Sequence, residues 1–278
     1  MQNLSGLNDY TCQYRVSSYV FRSLPLAATG KVHSVFANSF NLWLANQLIH
    51  IGSEEDPLSC IGLTIPKTEL QSILDHIEQE NLVSLKHNII FIYTVFSVFS
   101  LNLSLCKVVC LEIPRCTLQS LLRLEFEEMN LESKLGIAID SRFTKECRIL
   151  SKPHVFQEEM EAIHFLLGRG LGLTPAGDDI LMGYGTTLHA FSSQWSFFSS
   201  LKKILDVQTT DISLAYLKAM INHQANEDWI RLFSAIHNNE THLKPFLLAI
   251  SKKGHTSGCD SLYGMQLAIS YLQAEEQT

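Results

Sequence analysis

The chain has 278 residues, 46% of them hydrophobic and 18% charged, with mean hydropathy +0.09. That is too apolar for a disordered protein and longer than one core usually absorbs. Lys+Arg 21 against Asp+Glu 28 leave a net charge of −7, the wrong sign for a protein that gains affinity by neutralising nucleic-acid phosphates. Any anion it binds must be held locally.

Seven cysteines form an odd number and show no CxxC pair, so neither a disulfide framework nor a zinc site is indicated, and a reducing compartment is expected. The N-terminal stretch has neither a basic n-region nor an apolar h-region, which predicts a cytoplasmic protein without a secretory signal.

From residue 15 to about 115, β-branched and aromatic residues predominate, notably at Val16 to Phe21, Gly30 to Phe36, Cys60 to Ile65, Ile89 to Phe99 and Leu101 to Ile113. Punctuation by Gly30, Gly52, Pro57, Pro66 and Pro114 predicts short strands in an antiparallel sheet or barrel. Asn38 to Ile49 fits a strand or a helix equally well. The most membrane-like stretch, Ile89 to Leu105, is broken by Thr94, Ser97, Ser100, Asn102 and Ser104 and reads as a half-buried strand, so no membrane span is expected.

Beyond about Leu118 the apolar spacing becomes helical. The runs are Leu121 to Met129, Val155 to Leu167, Ile180 to Phe191, Ser213 to Ile221, Glu227 to Ile236, Thr241 to Ser251 and Ser261 to Ala274, with Gly136 to Ile139 as a last strand. The predicted fold is therefore α+β, with a β-rich domain over residues 1–117 and a mainly helical domain over 118–278.

The segment Gly168-Arg-Gly-Leu-Gly-Leu-Thr-Pro-Ala-Gly-Asp-Asp-Ile-Leu-Met-Gly183 carries the most chemical information. Gly168, Gly170 and Gly172 let the backbone approach a ligand closely or take positive φ. Thr174 is the predicted N-cap and Pro175 the first residue of a helix whose free N–H groups, with Gly177, Arg169 and the Thr174 hydroxyl, would hold a phosphate or carboxylate. Asp178 and Asp179 would repel a bare anion. They point to a bridging divalent cation such as Mg2+, to a general base, or to an acceptor for a substrate N–H. As plain structure, they would only complement the helix dipole.

A second segment, Lys253-Gly-His-Thr-Ser-Gly-Cys-Asp-Ser-Leu-Tyr-Gly264, repeats the pattern: Gly177-x-Asp179-x-Leu181-x-Gly183 matches Gly258-x-Asp260-x-Leu262-x-Gly264. Two helix N-termini related by pseudo-symmetry are expected, facing one polar pocket. Thr256, Ser257 and Gly258 would contact the ligand there, with Asp260 and His255 as further catalytic candidates. The rival reading makes Ser257 an N-cap and Asp260 its capping-box partner. Gly183, Gly185 and Gly264, inside predicted helices, imply close helix-to-helix contact.

The string GLGLTPAGDDILMG, followed by GHTSGCDSLYG, resembles a bacterial family associated with the oxamate carbamoyltransferase subunit AllH. Gly30 to Phe36 and Thr209-Thr-Asp-Ile-Ser213 look like its weaker signatures, although Ala176 stands where that family usually has serine. The resemblance implies a β domain followed by a helical one, partner subunits, and exchange of a carbamoyl group between oxalurate and phosphate in purine-nitrogen salvage. Such transfer needs an oxyanion to be stabilised, which helix N-termini can do. Two other classes fit the same residues. One is a non-catalytic anion- or nucleotide-binding assembly subunit, and the other a metal-dependent hydrolase using Asp178, Asp179 and Asp260. The expected ligand is a small anion, with partner subunits or a homo-oligomer expected unless the chain is a stand-alone hydrolase. No cofactor is required by the motifs themselves.

Overall fold

The computed structural model describes residues 14–117, 126, 128–191, 196–205 and 209–276. The chain divides into two compact units, Met1–Cys110 and Leu111–Thr278.

The first unit is built on a nine-stranded sheet: β1 Arg15–Ser17, β2 Ala27–Val35, β3 Phe40–Leu44, β4 Gln47–Ser53, β5 Gly62–Ile65, β6 Leu82–Lys86, β7 Ile89–Tyr93, β8 Val98–Asn102 and β9 Lys107–Val109. The spatial order β8-β7-β6-β2-β3-β4-β5-β1-β9 leaves the sheet curled and open, a half-barrel with β8 and β9 at its edges. It is mixed, since β4 pairs with β5 and β1 with β9 in parallel. Val16, Val32, Phe40, Leu42, Ile49, Leu63 and Ile90 form its core.

The segment with two possible readings, Asn38 to Ile49, is a hairpin. Ala45 and Asn46 both take positive φ (53° and 59°), the conformation whose twist matches paired strands. Ile89 to Leu105 is likewise a hairpin, β7 and β8, and no helix in the described residues is long and apolar enough to cross a membrane.

Several expectations are corrected. The strand at Val16 ends at Ser17, whose hydroxyl accepts from Tyr19 N–H and starts a helix, α1 (Ser18–Ser23). After Pro66 the chain forms a helix, α2 (Lys67–Leu74), that buries Leu70 and Ile73. The run from Leu101 to Ile113 is not one strand, because Asn102 accepts from Ser104 N–H and caps a 3-10 turn, Leu103–Leu105.

The second unit is helical: α3 Ser141–Leu150, α4 Phe156–Leu166, α5 Ala176–Phe191, α6 Ser196–Ile204, α7 Asp211–Ile221, α8 Glu227–His237, α9 Lys244–Ser251 and α10 Ser257–Glu275. The predicted run at Leu121, Leu122 and Leu124 lies outside the described residues. Gly136 to Ile139 is a loop and not a strand. Among the described residues it pairs with no strand, and Asp140, the N-cap of α3, accepts from Phe143 N–H at 2.7 Å to end it. Helix α3 escaped prediction because its buried apolar side chains, Phe143, Cys147 and Leu150, are diluted among charged residues.

Helices α5 and α10 form the centre of this unit. A Cβ on Gly183 would lie 1.8 Å from the Ser261 carbonyl oxygen, and one on Gly264 would lie 1.9 Å from that of Ile180. The contact is reciprocal, so only glycine lets the two backbones approach this closely. The helices cross side by side with their N-terminal turns together.

Candidate functional site

The two glycine and aspartate segments meet. Thr174 Oγ1 lies 2.9 Å from Ser257 Oγ, joining the loop before α5 to the first residue of α10. The pseudo-symmetry extends to the supports. A Cβ on Gly177 would come within 2.0 Å of the Leu166 carbonyl oxygen at the end of α4, and one on Gly258 within 2.0 Å of the Ile250 carbonyl oxygen near the end of α9. Each glycine lets a short helix end lodge against the start of a central helix.

The three aspartates are at most 2% exposed, but they are not equivalent. Asp178 Oδ1 accepts from Gly168 N–H at 2.6 Å and its Oδ2 accepts from the Thr209 hydroxyl. Both oxygens are therefore used in tying the glycine loop to the start of α7. Asp260 Oδ1 accepts from Gly136 N–H at 2.9 Å, while its Oδ2 has no hydrogen-bond partner among the described residues. Asp179 Oδ2 is likewise buried and unpartnered. Buried acceptors are nearly always satisfied, and the Thr174, Thr256 and Ser257 hydroxyls are the hydrogen-bonding groups beside these two carboxyls.

Burial raises the pKa of all three carboxyls. For Asp178 the Gly168 N–H and Thr209 hydroxyl act against that shift, and for Asp260 the Gly136 N–H and Thr256 hydroxyl do so. Asp179 is held well above the usual carboxylate range: desolvation leads, the Asp260 and Asp178 charges add to it, and the Ser257 and Thr174 hydroxyls oppose it.

The helix ends differ from expectation. Helix α5 starts at Ala176, one residue later than predicted, and the Thr174 hydroxyl turns to Ser257 instead of capping. Gly177 N–H donates to the Arg169 carbonyl and Asp178 N–H to that of Pro175, so the first turn offers fewer donors to an anion than a bare helix end. The capping box is also absent. Thr256 is the N-cap of α10, Ser257 is its first residue, and the Asp260 carboxylate reaches Gly136 and not the Ser257 backbone.

Gly168, Gly170 and Gly172 take φ of 72°, 127° and 96°. From Gly170 to Thr174 no backbone N–H finds an acceptor among the described residues. The loop exposes Leu171 and Leu173, and Thr210 donates to the Leu173 carbonyl at 2.6 Å while its hydroxyl also caps α7. Arg169 packs its guanidinium 4.2 Å from the Phe165 ring centroid and reaches Asp140 at 3.4 Å. His255 is exposed in the loop before α10.

Three contributors were not singled out from the sequence: Gly136, Thr209 and Thr210. The two threonines lie in the TTDIS string, which marked the region without indicating a role. Gly136 gave no signal, because its part rests on a backbone N–H. No group of three or more His, Cys, Asp or Glu among the described residues is placed to hold a metal ion.

Two family models match the chain. One, described as oxamate carbamoyltransferase subunit AllH, covers residues 166–269, which include both loops and helices α5 and α10. The other, the AllH family N-terminal domain, covers residues 12–108 and hence the sheet. The chain belongs to the AllH family. Its description as a subunit implies partner subunits. No curated protein and no solved structure gives a significant match.

Proposed function

We propose that the helical unit binds a carbamoyl-bearing anion between its two glycine loops and supplies the substrate site of a cytoplasmic carbamoyltransferase. The observation that carries this reading is the pair of buried, unpartnered carboxylate oxygens, Asp179 Oδ2 and Asp260 Oδ2, behind a loop with uncommitted backbone N–H groups. A carbamoyl group presents an NH2 to those acceptors. Its anionic end takes the N–H groups of Gly170 to Thr174 and the Arg169 guanidinium. A plain phosphate would use the donors and leave the acceptors unfilled.

Oxalurate, oxamate and carbamoyl phosphate all combine these two ends. In the exchange, a phosphate oxygen forms a bond to the carbamoyl carbon and the bond from that carbon to the oxamate nitrogen breaks. The loop N–H groups stabilise the oxyanion between the two events. Phosphate gives up a proton and the leaving nitrogen gains one, and Asp179, whose raised pKa keeps it able to hold a proton, is placed to relay it. Asp178, with both oxygens engaged, is a positioning residue that sets the loop. Thr174, Thr256 and Ser257 orient the carboxyls, Gly177 and Gly258 bring the supporting carbonyls close, and His255 stands at the rim. The reaction belongs to purine-nitrogen salvage.

The test is formation of carbamoyl phosphate from oxalurate and phosphate by the chain together with its co-purified partner subunits. Asp179→Asn should abolish product while leaving the fold intact. Undiminished product would refute the assignment. If the isolated chain binds carbamoyl phosphate and product appears only on mixing chains, the site is here and the remaining chemistry lies in the partners.

A further inference from the structure

The loop that joins α3 to α4, residues 151–155, turns one side chain inward: His154, whose side chain is 6% exposed. Its imidazole meets acceptors on both sides. Nδ1 lies 2.6 Å from the Lys152 carbonyl oxygen and 3.0 Å from that of Ile149, while Nε2 lies 3.2 Å from Glu159 Oε2. A neutral imidazole has one N–H and one lone pair, so either tautomer would set a lone pair against an oxygen at one of these contacts. The imidazolium, with an N–H on each nitrogen, satisfies both.

The elements packed around the ring hold that charge. Buried Glu159 on α4 accepts from Ser196 Oγ at 3.1 Å and Ser200 Oγ at 2.9 Å, both on α6, so its carboxylate stays an acceptor towards His154. On α10, Tyr271 sets its ring 5.3 Å from that of His154 and donates to Glu275 Oε1 at 3.2 Å. On α5, buried Tyr184 donates to the Leu150 carbonyl at the end of α3 and feels the Glu159 and Glu275 charges. The other charged groups on these elements are Arg148 and Lys152, both exposed, Glu158, which accepts from Val155 N–H, and Lys203, over the Phe156 ring. Burial by itself would strip the proton from His154, but the Glu159 carboxylate and the two carbonyls outweigh it and leave the pKa raised above the ordinary value of 6.5.

We propose that His154 is a pH-sensitive latch: protonated, it ties the α3–α4 loop to Glu159, and loss of the proton as pH rises frees the loop while the helices stay folded. The folded chain holds this proton more tightly than the unfolded chain. The stabilisation it brings is therefore full below the ordinary histidine value of 6.5 and is lost as pH rises through the higher folded value. The inference does not depend on the carbamoyl site.

The test is an NMR titration of the full chain with labelled histidine, read beside amide hydrogen exchange over the same pH range. The His154 ring should carry both protons at pH 6.5 and release one only above it. Across that release, protection of the Ser151, Lys152 and Val155 amides, whose acceptors are the Cys147 and Ile149 carbonyls and the Glu158 carboxylate, should fall about tenfold or more after correction for intrinsic exchange, while amides inside α5 keep theirs. Glu159→Gln should weaken proton binding at His154 about tenfold or more, and His154→Gln should leave the three loop amides poorly protected at every pH. Asp179→Asn should leave the transition unchanged. A His154 ring mostly neutral at pH 6.5, loop protection that stays flat across the His154 titration, or a titration unmoved by Glu159→Gln would overturn the proposal. Should Glu159→Gln fail to fold, the wild-type titration and exchange decide between the two outcomes.

Discussion

The Thr174 and Ser257 hydroxyl oxygens lie 2.9 Å apart, so a loop residue before one central helix hydrogen-bonds to the first residue of the other. Both hydroxyls also favour the charged form of Asp179. Thr174→Val and Ser257→Ala should each cost about 1 kcal/mol, and the double variant less than the sum, with a coupling of about 0.5–1.5 kcal/mol in a double-mutant cycle measured by denaturant unfolding. Strict additivity would show that the two loops are energetically separate.

Burial of Asp179 has a defined pH signature. Its folded pKa is raised well above the ordinary aspartate value of 3.8, so between those two values the unfolded chain has released a proton that the folded chain retains. Its contribution to stability is then full below about pH 3.8 and declines as pH rises to the folded pKa, after which it is flat. Asp179→Asn removes the charge and keeps the shape. It should flatten that decline and raise the melting temperature at neutral pH relative to wild type, measured by thermal melts across pH. A lower melting temperature at neutral pH would mean that the carboxylate has a stabilising partner.

The reciprocal glycines give a steric prediction. Gly183→Ala and Gly264→Ala would each press a methyl group to within 2 Å of a backbone carbonyl, where no side-chain rotamer offers relief. Each should destabilise by about 3 kcal/mol or more, at the upper end of overpacking costs. Gly172, with nothing within 4 Å of its Cβ position, should show only the cost of its positive φ when replaced, about 1–2 kcal/mol. Chemical denaturation separates the two cases.

The helical periods at Ile180 to Phe191 and Ser261 to Ala274 were legible because long apolar runs with glycine at matched spacing admit few other readings. Internal similarity placed Asp179 opposite Asp260 for the same reason. The roles of the helix ends were not legible. Whether Thr174 caps its own helix or reaches Ser257, and whether Asp260 caps its helix or accepts from Gly136, depends on which partner tertiary packing brings near. Ala45-Asn46 was hidden because alanine gives no hint of positive φ. The structural inequality of Asp178 and Asp179, adjacent and chemically identical, arises from Gly168 and Thr209 occupying one and not the other.

Thr209 holds Asp178 against the glycine loop. Thr209→Val removes the donor and leaves a buried carboxylate oxygen without a partner, costing about 1–3 kcal/mol. Because Asp178 also accepts from Gly168 N–H, amide exchange at Gly168 should accelerate in this variant while amides inside α8 stay protected. Unchanged exchange at Gly168 would show that Thr209 does not position the loop.

The central claim is that the paired loops hold a carbamoyl-bearing anion through both its ends. Calorimetric titration of the full chain with carbamoyl phosphate and, separately, with inorganic phosphate tests it most directly, using wild type, Asp179→Asn and Asp260→Asn. The account predicts that carbamoyl phosphate binds at least tenfold more tightly than phosphate to wild type, and that either substitution removes this preference while leaving the phosphate affinity nearly unchanged. Equal binding of the two ligands to wild type, or a preference that survives both substitutions, would contradict it.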